Sequence, residues 1–144
     1  MSFKVESPGK LPSFLTRLSA ATLCLIFFSL VAGADSLQTA PKAYRLGNGL
    51  YQHGRGNPAN YDTALEAFIS AAESGHPAAQ FYAGRMHQLG HGTAKNYAQA
   101  AQWYQRAGEN GQARAYNKLG NIYTDKSGGL YAPDKAMQAY LKAS

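Results

Sequence analysis

Cysteine is nearly missing from this chain of 144 residues: Cys24 stands alone, inside an apolar run near the start. A single thiol cannot form an intrachain disulfide, and cysteine-built zinc or iron–sulfur sites are excluded. Charge is scarce too. Fourteen Lys and Arg meet eight Asp and Glu, a formal net of +6. The cations stand singly along the chain, which excludes the basic stripe that follows a nucleic-acid backbone. No apolar run reaches the roughly 20 residues that span a bilayer.

What is present begins with a leader. Lys4, Lys10 and Arg17 precede the apolar run "AATLCLIFFSLVAGA", small residues follow at Ala32 and Ala34, and the polar "DSLQTAPK" comes next. This order predicts a secretory signal over residues 1–34, cleaved after Ala34, and hence a periplasmic or secreted location; the alternative is an uncleaved membrane anchor. Leu23 precedes Cys24 where a lipoprotein signal needs a small residue, so no lipid anchor is expected there. Residues 35–144 would then carry no cysteine, eleven Lys and Arg against seven Asp and Glu, and all ten tyrosines. Such a tyrosine load predicts aromatic packing between helices or at a partner surface.

The stretch "AAQWYQRAGENGQARAYNKLG" at 100–120 repeats "ALEAFISAAESGHPAAQFYAG" of 64–84, thirty-six residues upstream. At that period Tyr61 aligns with Tyr97, Ala64 with Ala100 and Ala136, and Phe68 with Tyr104 and Tyr140; in the other half Ala43 aligns with Ala79 and Ala115, and Gln52 with Gln88. Tyr97, Ala100, Ala101, Tyr104 and Ala107 fall at steps of three and four, one buried face of a helix. Ala115, Leu119, Ile122 and Tyr123 do the same for a second helix, and Gly75 and Gly111 are placed to end the helices before them. Each unit therefore reads as two antiparallel helices. Gly84 and Gly120 recur inside helical patterns, where glycine costs about 1 kcal/mol against alanine. Close approach explains the recurrence: a Phe68- or Tyr104-type ring from a partner helix fills the space that a β-carbon would take, a large-to-small packing code expected to dock each unit onto the next. Pro58 and Pro133 suit a first helical turn. The loop glycines Gly54, Gly56, Gly90, Gly92 and Gly128 follow no strand and no Lys–Ser/Thr pair closes them, so they make no phosphate cradle.

With "AAQWYQRAGENGQARAYNKLGNIY", the glycine-bearing loop and the spacing of thirty-six, the chain resembles the Sel-one-like repeat (SLR) family, a relative of the tetratricopeptide repeat, whose period is thirty-four. The resemblance covers residues 40–144. It implies an all-α fold, a right-handed α-α superhelix of about three antiparallel helix pairs: a linker over 35–40, then a domain over 41–144 with repeats at about 43–78, 79–114 and 115–144. It further implies a concave side that binds proteins and use as an adaptor in bacterial envelopes and signalling. Some relatives lock each unit with a disulfide, which this chain cannot do. The last copy reaches "MQAYLKAS" without its "ENG" turn, so an apolar end is expected to be exposed, covered by a partner or in a homodimer.

Catalytic and metal-binding readings fare poorly. His87 and His91 share the four-residue spacing of a helical metal pair, but His87 holds the place of Tyr51 and Tyr123, and no third ligand stands nearby. His53 and His76 fall in turns. Asp62, Glu66, Glu73 and Glu109 offer carboxylates, yet Glu73 and Glu109 are equivalent positions one repeat apart, and no triad order is seen. The expectation is a non-enzyme without cofactor, metal, nucleic acid or small-molecule substrate. Positions beside the constant core vary between copies, Arg45, Phe81 and Asn117 in one column and Gln52, Gln88 and Thr124 in another. The expected protein-binding set is Tyr44, Gln52, Phe81, Arg85, Gln88, Asn117, Asn121 and Thr124, with Phe81 either an exposed anchor or a core filler. The partner is expected to be another protein or peptide, an envelope component. The alternative is a structural subunit of an envelope assembly, of the motility or polysaccharide export type, docking through the open C-terminal end.

Overall fold

Every stretch with three-and-four apolar spacing is helical in the computed structural model, which describes residues 39–53 and 57–144. α1 covers residues 39–53, α2 Pro58–Glu73, α3 Pro77–Leu89, α4 Tyr97–Glu109, α5 Ala113–Thr124 and α6 Pro133–Ala143. Among the described residues there is no strand, and no helix is long and apolar enough to cross a membrane. The expected signal over 1–34, with Cys24, lies outside the described residues, as do positions 35–38 of the expected linker and the loop glycines Gly54 and Gly56. Residues 39 and 40 are already helical, with Ala40 buried, so the helical domain begins ahead of the expected boundary at 41.

Local chemistry sets the helix ends. Proline opens α2 and α6 as expected and also α3, through Pro77. Its fixed φ suits the first turn, where an N–H would have no partner inside the helix. Asn57, His76 and Asn96 cap the starts of α2, α3 and α4: their side chains accept from the amides of Ala59, Ala79 and Gln99 at 3.1, 3.3 and 3.0 Å. α2 and α4 end by one device. Gly75 and Gly111 turn left-handed, at φ of 84° and 92°. The next amides, of His76 and Gln112, then reach back to the carbonyls of Ala71 and Ala107 at 3.1 and 2.8 Å.

Each helix packs on its successor in the chain, so α1, α3 and α5 form one layer and α2, α4 and α6 the other. A β-carbon on Gly84 would stand 3.0 Å from the ring of Tyr104 and 3.2 Å from the Ala100 carbonyl; Gly47 meets Phe68 and Ala64 at the same two distances. The expected large-to-small packing is therefore present, with two corrections. It joins the two helices of one repeat, not one repeat to the next. It also shows Gly47 and Gly84 to be equivalent across thirty-seven residues, because α1 carries one residue more between Gly47 and Leu50 than α3 does between Gly84 and Met86. Tyr44, not Arg45, is thus the counterpart of Phe81: its ring lies 6.0 Å from Phe68, as Phe81 lies 5.5 Å from Tyr104.

Successive repeats are joined elsewhere. Gly92, at φ 70°, lies so near the start of α2 that a β-carbon would sit 2.7 Å from the Tyr61 carbonyl carbon. No side chain fits there. One repeat on, a β-carbon at Gly128 would meet the Tyr97 ring at 3.2 Å. Both loops close alike, Asn96 N–H donating to the His87 carbonyl and Ala132 N–H to that of Tyr123, each at 2.8 Å. His91 stacks on Tyr61 with centroids 4.5 Å apart. Buried Gln80 completes the joint: its amide nitrogen donates to the Ala72 carbonyl at 3.0 Å and its oxygen accepts from Asn110 at 2.9 Å.

Candidate functional site

The step from α3 to α5 leaves a groove of about 280 Å³ on the layer of first helices, lined by Arg85, Gln88 and Leu89 of α3 and Lys118 of α5, with Tyr104 of α4 behind them. Arg85 and Gln88 lie one turn apart on α3 and so face the same way. Burial raises the pKa of the Tyr104 hydroxyl, which stays protonated and donates to Gln88 Oε1 at 2.8 Å. That bond holds the Gln88 amide in place. The Arg85 guanidinium leans over the Tyr51 ring, 5.8 Å from its centroid. No carboxylate lines the groove among the described residues, so it offers cationic and amide donors to carbonyl or carboxylate groups.

The expected contact residues are only partly brought together. Arg85 and Gln88 line the groove, and Asn117, Asn121 and Thr124 are exposed on α5, the helix of Lys118. Asn121 accepts from the Tyr140 hydroxyl at 2.7 Å, and Thr124 Oγ1 donates to the Asn121 carbonyl at 2.9 Å. Gln52 is exposed at the end of α1. Tyr44 is half-buried and stacks on His76 at 4.6 Å; burial raises its hydroxyl pKa. Phe81 is the correction. It is 5% exposed, part of the core around Tyr104, Ala115 and Ile122, and its ring lies under the Arg114 guanidinium at 4.4 Å. It fills the core between α3, α4 and α5 and is no exposed anchor. Sequence reasoning missed Lys118 and Leu89, which lie outside the columns compared; the signal was their position, one turn from Ala115 and one residue after Gln88.

The histidines have separate duties. His87 is buried and its Nδ1 has no hydrogen-bond partner; desolvation lowers its pKa and keeps the ring neutral. His91 belongs to the repeat joint, its Nδ1 3.2 Å from the Tyr51 hydroxyl. Among the described residues no three His, Cys, Asp or Glu side chains converge.

Paired antiparallel helices, glycine–aromatic contacts inside each pair and glycine loops between pairs define an α-solenoid of the tetratricopeptide-like class. The Sel1 repeat family model matches residues 43–76 and 77–112. The fold is also similar to the crystal structure of a Sel1 repeat protein from Oxalobacter formigenes, at 34% identity and a TM-score of 0.63, covering 72% of this chain and 42% of that one. A protective antigen present in uropathogenic Escherichia coli strains and displaying an SLR fold matches at 26% identity and a TM-score of 0.63, covering 72% of this chain and 22% of the antigen. The chain thus spans less than half the length of either. Among curated proteins no match is found. This chain belongs to the Sel1 repeat family, and its helices form the right-handed superhelix expected of it.

Proposed function

We propose that this protein is a non-enzymatic adaptor that holds an extended segment of another protein in the groove between α3 and α5. The observation that carries the reading is the convergence of Arg85, the fixed Gln88 amide and Lys118 around one groove with no acid in its lining among the described residues. Sel1 repeats generally mediate protein–protein contacts, which favours a protein partner. The helix stack presents side chains of different repeats at set spacing, so a peptide meets all of them at once without an ordering cost on the adaptor side. The leader over residues 1–34 favours a periplasmic or secreted site of action and an envelope component as partner.

Photo-crosslinking in intact cells tests this reading, with the photoreactive residue at Asn117, since Phe81 is buried, and with Trp103 on the other layer as comparison. The adaptor reading expects a heterologous adduct at Asn117 that Arg85→Glu abolishes. Adducts equal at both positions, or only to a second copy, would overturn it. The mass of the purified chain tests location, with Asp35 expected as the first residue.

A second reading, a structural subunit docking through α6, rests on Met137 and Leu141, which are 62% and 70% exposed, while Leu65 and Ala101, equivalent to Met137, are buried. Met137→Glu with Leu141→Glu would then release the protein from its assembly and leave the Asn117 adduct intact.

A further inference from the structure

The layer of second helices carries two clefts related by the repeat. One, of about 300 Å³, is lined by Ile69, His87, Gln99, Gln102, Trp103 and Arg106. The other, of about 230 Å³, has Gln105, Tyr123, Lys135, Gln138, Ala139 and Lys142 at those positions plus thirty-six, with Tyr116 and Leu119 added. The substitutions between them run in one direction. Gln99 becomes Lys135, neutral His87 becomes Tyr123, and Trp103 becomes Ala139. The second cleft thereby gains a cation and loses the indole that stands in the first.

Its two lysines are exposed and each stands near a tyrosine ring. Lys135 Nζ lies over the Tyr123 ring at 5.9 Å and Lys142 Nζ over Tyr116 at 5.6 Å. A cation resting on a ring face keeps its N–H donors for another acceptor, because the ring takes none of the strong hydrogen bonds a carboxylate would. No carboxylate lines this cleft among the described residues; Glu109, at the end of α4, accepts from Gln105 Nε2 at 2.9 Å. Lys135 and Lys142 are seven residues apart on α6, about 10 Å along its axis at the helical rise. Three residues of polyproline II chain cover about 9 Å, and at three residues per turn they bring the side chain back to the same face.

We infer that the cleft between α4 and α6 is a second protein-docking site, which takes an acidic segment of a partner in the polyproline II conformation with two carboxylates three residues apart, one at Lys135 and one at Lys142. Gln138, between the lysines, offers its amide to the backbone of that segment. The site lies on the layer opposite the α3–α5 groove and does not depend on the reading given to that groove.

The test is fluorescence anisotropy with the full-length chain and a labelled peptide Gly-Glu-Ser-Gly-Glu-Gly, against the same peptide with both Glu changed to Gln and one with the two Glu adjacent. The expected order is tightest binding for the spaced acids, weaker for adjacent acids and none for the Gln peptide. Lys135→Glu with Lys142→Glu is expected to weaken the spaced peptide at least about tenfold. Lys42→Glu with Lys126→Glu, an equal charge change at exposed lysines outside both the cleft and the α3–α5 groove, is expected to leave it within about twofold. Equal losses from the two charge changes, equal affinity for spaced and adjacent acids, or no binding of the spaced peptide would each overturn the proposal.

Discussion

The second and third repeats carry the same packing device in different surroundings. Gly84 faces Tyr104 in the second and Gly120 faces Tyr140 in the third, each pair joining the two helices of its repeat. Both tyrosine hydroxyls donate to an amide oxygen on the facing helix, Gln88 or Asn121, at 2.8 and 2.7 Å. Yet Tyr104 is 0% exposed and Tyr140 37%. The difference comes from the next layer of packing beyond each ring: α5 packs on α4, whereas the far face of α6 stays open at Met137 and Leu141. A side chain's worth in a repeat array thus depends on its neighbours on both sides, and the sequence unit supplies only one of them.

The largest test of that contrast removes the rings. Tyr104→Ala should cost about 3–5 kcal/mol, the usual range for emptying a large buried aromatic site, and Tyr140→Ala less, about 2 kcal/mol, since 37% of that residue is already in water. Urea unfolding of both variants reads the difference; equal losses would mean that the open end is covered in solution.

A finer test sets contact distance against freedom to move. A β-carbon at Gly120 would come 2.6 Å from the Tyr140 ring, closer than the 3.0 Å at Gly84. Distance alone ranks Gly120→Ala as the worse change. The opposite is expected, because Tyr140 has solvent to swing into and Tyr104 has none. Gly84→Ala should lose about 1–3 kcal/mol to overpacking. Gly120→Ala should fall near zero, its lost hydrogen bond offset by the roughly 1 kcal/mol that alanine gains over glycine in a helix. Thermal melts of the two single variants decide the order.

Removing only the hydroxyls separates the bonds from the rings. Tyr104→Phe should cost about 1 kcal/mol, as it leaves Gln88 without its donor in a partly buried place, and Tyr140→Phe less than about 0.5 kcal/mol, because water replaces the lost donor at Asn121. Urea midpoints of the two variants against the parent check both values.

The smallest expected effect concerns pH, through His87 in the second repeat and its counterpart Tyr123 in the third. Burial lowers the His87 pKa below its ordinary 6.5. The unfolded chain therefore binds a proton more readily than the folded one. This contribution favours the native state fully above pH 6.5 and is lost as the pH falls through the unfolded value towards the lower folded one. Melting temperatures of the parent should drop between about pH 7 and pH 5 by more than those of His87→Phe, and parallel curves would refute the assignment.

The repeat itself was legible because each unit must bury one stripe against its neighbour, and only small or aromatic residues at helical spacing do so: Ala64, Ala100 and Ala136, then Phe68, Tyr104 and Tyr140. The extra residue in α1 was not legible, since a helix absorbs one residue without any break in composition, and only the contact of Gly47 with Phe68 exposes the shift. Nor was the burial of Phe81, whose column holds Asn117 in the next copy. A column shows that a position varies and says nothing about which side of it a neighbouring helix covers. The groove was half legible: Arg85 and Gln88 share one helix face, while Lys118 joins them from another repeat.

By itself, the sequence determined the helix pairs, the pairing of helix glycines with large rings and the family, because these depend on residues at most about one repeat apart, whereas the structure placed those contacts inside each pair. Only the tertiary structure decided that Phe81 is core, that Gly92 seats on Tyr61, and that Lys135 and Lys142 rest on tyrosine rings beside an open cleft. Those outcomes depend on the angle and step between successive helix pairs, which is set by the summed packing of many side chains and by no local pattern.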